Sequence, residues 1–504
     1  MKELTSKKGG FSSGLGFILA SAGSAIGLGN LWGFPFKTAQ NGGAAFVFIY
    51  VACVIFIGSI TMICEIFLGK RAQANPISAF KKIGKNLGWI GVVAIFVPAV
   101  IVCYYSVLGG YTVTFTANAF TGNAGKLGEY SSLAWTVILF SAVFIAFALA
   151  VVMAGIKGGI EKASKVLMPM LFILLLAVVI FVLCLGEGVK EGVAYYLIPD
   201  FSKVTFGSVL SAMGQAFYSL SLGMGTMIVY GSYTDKEINI VKSTGMICIF
   251  DTLVALLAGL AIFPAVFHFA SVEGVDVSTL NLNGMMLMFE TLPKVFERIG
   301  FVGNIIEFVF FAMVMIAAVT SVISILEVSS QFVIQAFKGS RKRTTVVVAL
   351  GTFALSIPIA ISLGHSLNGV AKMTVFGLDW LSFLDVVTNT ILMPVCALLS
   401  CVAVGWFIGV PRTMAELNAD GTSFGRLQKA VGVMIKYVVP VLIAVIEVFG
   451  LKDLVFPNGV FSGNGLGIAL TSYSLFGVLI AVYFLFFKNR ETGINADEMD
   501  INKI

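Results

Sequence analysis

The sequence predicts an all-α protein whose chain crosses a membrane twelve times. Three observations predict it. Hydrophobic residues make up 58% of the 504 residues and charged ones only 12%. Apolar runs long enough to cross hydrocarbon recur along the whole chain. Basic residues collect on alternate connections. Soluble domains carry about 25% charged residues, so lipid must replace water over much of this surface.

A spanning helix needs about 20 apolar residues. By that ruler the runs fall at 12–36, 41–69, 88–119, 133–154, 166–186, 206–233, 243–270, 301–336, 344–363, 379–409, 431–450 and 465–487. In hydrocarbon each backbone polar group needs an internal partner, so such runs are helices. None shows the short alternation of a barrel strand. With the N-terminus placed in the cytoplasm, the inner segments carry Lys2, Lys7, Lys8, Lys70, Arg71, Lys81, Lys82, Lys85, Lys157, Lys162, Lys165, Lys338, Arg341, Lys342, Arg343, Arg412, Arg426, Lys429, Lys488 and Arg490. The outer loops hold only Lys126, Lys190, Lys203, Lys294, Arg298, Lys372 and Lys452. That asymmetry fits an even number of spans with both ends inside.

The net charge of +6 therefore reads as positive-inside loops and not as a nucleic-acid surface. Seven cysteines lie in or at the ends of apolar runs and read as small packing residues. With two histidines a His-based metal site is excluded. Neither a nucleophile–base pair nor a metal cluster is evident, so an enzyme is not expected. A carrier remains, with a channel or sensor on the same scaffold as the second reading.

Two spans are interrupted. The first contains Ser24-Ala-Ile-Gly-Leu-Gly-Asn30 followed by Pro35, and the sixth contains Ser219-Leu-Ser-Leu-Gly-Met-Gly225. Glycine costs about 1 kcal/mol against alanine inside a helix, so clustering it at mid-membrane either weakens the helix or lets a neighbour pack closely. The breaks occupy corresponding places in two five-span halves, the strongest sequence pointer to a transporter site between inverted repeats. A broken helix frees N–H groups for an anion and C=O groups for a cation. An amino acid with sodium beside its carboxylate matches both. Asp251 adds a carboxylate inside an apolar span, where insertion costs about 2.5–3.5 kcal/mol and a functional role is the default reading.

At these residues the sequence resembles the neurotransmitter:sodium symporter family, whose bacterial members have the LeuT fold. The resemblance rests on Gly23-Ser-Ala-Ile-Gly-Leu-Gly-Asn30-Leu-Trp-Gly-Phe-Pro35, Asn41-Gly-Gly-Ala-Ala-Phe46, Glu65, Tyr104-Tyr105, Gln215-Ala-Phe-Tyr-Ser-Leu-Ser-Leu-Gly-Met-Gly225 and Ala317-Ala-Val-Thr-Ser321. It implies a cytoplasmic tail (1–11), a first five-helix repeat (12–190), an inverted second repeat (206–409), two further helices (410–487) and a second cytoplasmic tail (488–504).

The resemblance also implies two sodium sites and no organic cofactor. One would use Ala25, Asn30, Ser219 and Asp251, completed by the substrate carboxylate. The other would use the carbonyls of Gly23, Ile26 and Ala317 with the hydroxyls of Thr320 and Ser321. Taken alone, Thr320 and Ser321 read as side chains bonding back to their own helix. The substrate carboxylate would meet backbone N–H groups near Leu28 and Gly29 and the hydroxyl of Tyr105. Its amino group would meet carbonyls near Ala25, Tyr218, Ser219 and Ser221. Ile101, Tyr105, Tyr218, Met224, Ser321 and Ile325 would line the side-chain pocket. Met224 between two glycines can adapt to large apolar groups, and the resemblance to bacterial members with Gly-Met-Gly suggests Trp, Tyr, Phe, Leu, Ile or Met as substrate.

Several positions depart from the family pattern. Where some members balance sodium with chloride or a Glu one turn after Asp251, this chain has Ala255, so Asp251 is expected to supply the charge without chloride. Gly33 stands where an outer gate Arg is usual. Lys37, four residues on, is the expected partner of Asp385; the bland alternative is that it snorkels to headgroups. At the inner gate Tyr233 fits, Lys8 replaces an Arg and Gln335 replaces a carboxylate. Glu65 is a structural match. The Gly159–Pro169 spacing resembles one tied in the family to unwinding that opens the inner sodium site. Expected partners are an amino acid and the bilayer, with no nucleic acid, in a monomer or dimer. The loop after span three lacks the cysteines of animal relatives, which points to a bacterial plasma membrane.

Overall fold

The computed structural model describes residues 10–120, 134–235, 237–277, 280, 287–363, 374–419 and 424–489. The helices that build the bundle are α1 (Gly14–Ala25), α2 (Gly29–Gln40), α3 (Ala44–Ala72), α4 (Lys85–Asn118), α5 (Trp135–Met153), α6 (Ile156–Leu183), α7 (Phe206–Ser219), α8 (Thr226–Ser232), α9 (Ile240–Glu273), α10 (Phe301–Phe337), α11 (Arg341–Leu363), α12 (Trp380–Ala419), α13 (Gln428–Val455) and α14 (Gly463–Phe487). Among the described residues ten helices are long and apolar enough to cross a membrane, and the bent pair α1–α2 makes an eleventh. The sixth apolar run, 206–233, is divided between α7 and α8, neither long enough alone.

Burial sorts the helices into a centre and a rim. The most apolar stretch of α10 is 89% buried and that of α4 72%, whereas α14 reaches 28%. α10 packs along α4, with α1, α5, α6 and α11 against its other faces. The rim helices turn large apolar side chains outward: Ile173 on α6 is 68% exposed and Leu485 on α14 76%. In water such a surface would drive aggregation; against acyl chains it is the expected outer face.

Local chemistry sets the ends. α1 starts where the Ser13 hydroxyl accepts from Gly16 N–H at 3.0 Å, and stops at Ala25 because Ile26 takes an extended conformation (ψ 104°). The chain turns by 49° before α2. α7 is opened by a reciprocal Thr205–Ser208 cap. Between α7 and α8 the backbone is left-handed at Ser221 (φ 53°), Gly223 (φ 77°) and Gly225 (φ 69°), a conformation no helix interior allows. A two-residue hairpin, β1 (Thr374–Val375) with β2 (Leu378–Asp379), turns through left-handed Phe376 and Gly377 ahead of α12.

One end of the bundle gathers basic side chains. There Lys70 Nζ donates to the Ile238 carbonyl (2.7 Å), Arg71 pairs with Glu416, and Arg341 Nη2 meets Glu327 Oε2 at 2.5 Å.

Candidate functional site

The two interruptions meet at α9. Asn30, just past the α1 break, is fully buried and donates its amide to Ser219 Oγ (2.9 Å), to Asp251 Oδ1 (2.7 Å) and to the Asp251 carbonyl (3.1 Å). Ser219, the last residue of α7, donates to Asp251 Oδ2 at 2.8 Å. Asn30 Oδ1 accepts the Gly27 N–H (3.1 Å), which ties the amide to the unwound turn. Tyr50 of α3 closes the cluster, 3.0 Å from Ser219 Oγ and donating to Asp251 Oδ2 at 3.3 Å. Thus Asn30, Ser219 and Asp251, separated by up to 221 positions in sequence, share one spot. Ala25, the fourth member of the expected set, is buried at the end of α1.

The cluster's chemistry fits a hard cation. Its side-chain groups are a carboxylate, two hydroxyls and an amide whose oxygen and nitrogen exchange on a half-turn of the side chain. The Asp251 carboxylate is completely buried, and among the described residues no Lys, Arg or His pairs with it. A buried charge held only by neutral donors is costly, and a cation at this spot would relieve that cost.

A second convergence lies between the α1 terminus and α10. Ser321 Oγ is 3.5 Å from the Gly23 carbonyl and 3.2 Å from those of Ser24 and Ile26, oxygens that the end of α1 leaves without helical partners. Thr320 bonds back to its own helix at Ile316 (3.2 Å) and Ala317 (3.0 Å), whereas Ser321 reaches across to α1. Gly23 lets the two helices approach closely: a Cβ there would stand 3.3 Å from Thr320 and 3.1 Å from Met168.

Beside these clusters the Leu28 N–H donates to Tyr105 OH (3.1 Å), and a Cβ on Gly27 would come within 2.8 Å of that hydroxyl. The Tyr218 ring lies 3.0 Å from where Gly29 would carry a Cβ, and Gln215 Nε2 donates to the Gly29 carbonyl at 2.8 Å. Ser221 Oγ donates to the Ser24 carbonyl (2.9 Å), joining the two breaks directly. Ile101, Met224 and Ile325 are buried in the same apolar cluster, against which Tyr218 packs. Glu65 of α3 holds the second break open by accepting the Gly223 N–H at 2.8 Å.

Above Tyr218 a cavity of about 410 Å³ is lined by Trp32, Gly33, Lys37, Gln215, Asp385 and Asn389, among others. Lys37 and Asp385 both face it, but no ion pair joins them; Asp385 accepts from Asn389, whose amide also reaches Tyr104 OH (3.1 Å). At the basic end Tyr233 and Gln335 are described. Lys8 lies outside the described residues. Gln335 accepts from Asn75 N–H (3.1 Å) and Nδ2 (2.7 Å). Tyr233 OH donates to Glu327 Oε1 at 2.7 Å, with Arg341 on the other oxygen. Gly159 sits in the π-helical first turn of α6, Ile156–Glu161, where a Cβ would collide with the Val151 carbonyl at 2.0 Å, and Pro169 lies further along the same helix.

The profile of the sodium:neurotransmitter symporter family matches residues 8–126 and 123–488. The chain belongs to that family. As a sodium:neurotransmitter symporter it is a multi-pass membrane transporter and not an enzyme. It is 35% identical over 430 residues to an uncharacterized sodium-dependent transporter, YhdH, of Bacillus subtilis, a match covering 82% of this chain and 91% of that protein. An uncharacterized sodium-dependent transporter of Methanocaldococcus jannaschii is 30% identical, over 93% of this chain and 94% of its own length. The crystal structure of MhsT in complex with L-phenylalanine superposes with a TM-score of 0.78 at 31% identity, covering 88% of this chain and all of that one. MhsT is a bacterial LeuT-fold transporter, so the expected all-α LeuT-type fold is the observed one.

Three groups that this symporter places at its clusters escaped the sequence reading. Tyr50 carried no signal, being one aromatic in an apolar span. Glu327 carried one: it is a carboxylate inside span eight, as Asp251 is inside span seven, and the same rule applies to it. Its partner Arg341 was counted only as a positive-inside charge.

Proposed function

We propose that this symporter carries a small hydrophobic or aromatic L-amino acid inward together with sodium, by alternating access. The observation that carries the proposal is the buried Asp251 carboxylate, held by Asn30, Ser219 and Tyr50 where the two broken helices meet and paired with no cationic side chain among the described residues. One sodium would lie among the Ala25 carbonyl, Asn30, Ser219 and Asp251. The second would lie among the carbonyls of Gly23, Ile26 and Ala317, with Ser321 and, once it leaves its back-bond, Thr320. The substrate carboxylate would take the Leu28 N–H, the Gly29 N–H and Tyr105 OH. The apolar body would rest on Ile101, Met224 and Ile325 under Tyr218. The phenylalanine held by MhsT supports this substrate class. Twelve crossings, ten of them in two inverted five-helix repeats, with the basic end and both termini in the cytoplasm, complete the reading, and the positive-inside charge pattern supports that orientation.

The test is a sodium-jump binding assay on purified protein against all twenty amino acids. Binding is expected for one or more of Trp, Tyr, Phe, Leu, Ile and Met in sodium and not in potassium. Equal binding in both salts would end the proposal. Because Asp251 supplies the balancing charge, replacing chloride by gluconate is expected to leave uptake unchanged; loss of uptake in gluconate would contradict that role.

Lys37 and Asp385 are proposed as the outer gate, closing across the cavity they share. Exposed or half-exposed pairs contribute about 0–1 kcal/mol, so Lys37→Ala and Asp385→Ala are each expected to slow uptake by about threefold. Unchanged rates in both would dismiss the pair. Tyr233, Glu327 and Arg341 are proposed as the inner closure in place of Lys8 and Gln335.

A further inference from the structure

α10 carries a polar face within an otherwise apolar helix. Ser321, Ser324, Glu327 and Gln331 follow one another at spacings of three and four residues, which puts them on one side, and all are buried. The groups opposite are polar too. Ser24 Oγ donates to Ser324 Oγ (2.7 Å), Tyr233 OH to Glu327 (2.7 Å), and Gln331 Nε2 to Ser232 Oγ (3.0 Å). A buried seam of oxygens therefore runs from the level of Ser321 to the basic end. Near its bottom the Gln331 side-chain amide oxygen, Oε1, is buried with no hydrogen-bond partner among the described residues, and the neighbouring Ser330 hydroxyl is in the same state. Buried acceptors without donors are costly, so the seam is built for something that brings positive charge.

Glu327 is the one formal charge on that face. Its side chain is 0% exposed, while its counter-ion Arg341 is 28% exposed and belongs to the neighbouring helix α11, where its Nε also donates to the Val152 carbonyl (3.1 Å). The pair is asymmetric. The guanidinium can move into water; the carboxylate cannot follow without unwinding α10. Whenever Arg341 leaves, a buried carboxylate remains that needs another cation. The nearest proposed sodium position, at Ser321, lies six residues up the same face, about 9 Å along the helix.

We propose that the Glu327 carboxylate is a transient sodium site on the path between the Ser321 level and the basic end, filled by sodium when Arg341 swings away. Arg341 is then a resident cation that competes with the leaving ion, and the seam conducts sodium. This rests on the sodium-coupled reading above.

The experiment measures, in right-side-out proteoliposomes, the internal sodium concentration that halves uptake. It compares R341Q with R341Q/E327Q. Both lack the ion pair, so any loosening of the closure is common to them, and they differ only in the carboxylate. With the site present, R341Q is half-inhibited at a roughly tenfold lower internal sodium concentration than the double variant. Equal values would overturn the proposal and leave Glu327 a gate residue only. If R341Q does not fold, E327Q against the parent decides. Its half-inhibiting concentration rises if a sodium site has been lost, and falls or stays if only a closure has been loosened. A parent protein with no sodium-driven uptake would sink the sodium-coupled reading first, a distinct result.

Discussion

Asp251→Asn is expected to weaken apparent sodium affinity, read from sodium titrations of substrate binding, by at least about a hundredfold. The amide is isosteric and can still accept from Ser219 through its one oxygen, so the shape of the cluster is largely kept while the charge and the acceptor facing Asn30 are removed. A unit charge about 4 Å from a cation is worth about 4 kcal/mol at an effective dielectric of 20, and each 1.4 kcal/mol is tenfold. The hundredfold figure already discounts that by a third. Tyr50→Phe removes only a hydroxyl, 3.0 Å from Ser219 and 3.3 Å from Asp251. It is expected to cost about three- to tenfold, as one hydrogen bond near a charge does. An Asp251→Asn protein should also respond to chloride, because the missing negative charge can then be supplied from solution. A sodium titration indistinguishable from the parent's would remove Asp251 from the ion site and, with it, the central argument for sodium coupling.

What the sequence disclosed follows from the kind of signal each feature leaves. The helices were legible because lipid demands long apolar runs, and the runs at 88–119, 243–270 and 301–336 fall on α4, α9 and α10. The breaks were legible because only glycine and small polar residues interrupt such runs cheaply, and Ser24–Asn30 and Ser219–Gly225 are where α1 ends and α8 has yet to begin. Asp251 stood out because a carboxylate in hydrocarbon needs a reason. Its partners were reached through the resemblance and not from spacing, since Asn30, Ser219 and Asp251 come together only through tertiary packing. The cluster of Tyr233, Glu327 and Arg341 was out of reach for the same reason: its members lie on different helices and meet only in the fold, while Gln335 is turned to Asn75. Tyr50 was invisible because a tyrosine in an apolar span differs from its neighbours by a single oxygen.

Gly223→Ala is expected to abolish measurable substrate binding, a loss of at least about a hundredfold, and to lower the melting temperature of the purified protein. Two independent constraints meet at this residue. Its backbone is left-handed, φ 77°, which an L side chain adopts at a cost of about 1–2 kcal/mol. A Cβ there would also stand 2.1 Å from the Met393 carbonyl oxygen of α12, so backbone must move on one side or the other. If the break moves, the Gly223 N–H leaves Glu65, whose carboxylate is fully buried and accepts from it at 2.8 Å. An acceptor so stranded costs about 1–3 kcal/mol or more. The same shift would carry Ser219, Ser221 and Met224 away from Asn30, the Ser24 carbonyl and the apolar pocket. Met224→Leu separates geometry from side chain: nearly equal in volume, it should fold and bind, changing only which amino acid is preferred. Glu65→Gln keeps an acceptor for the Gly223 N–H and should be milder than Glu65→Ala, which leaves that N–H without one. A Gly223→Ala protein that bound substrate within about threefold of the parent would mean that the second break is a passive kink, and that the pocket does not depend on its shape.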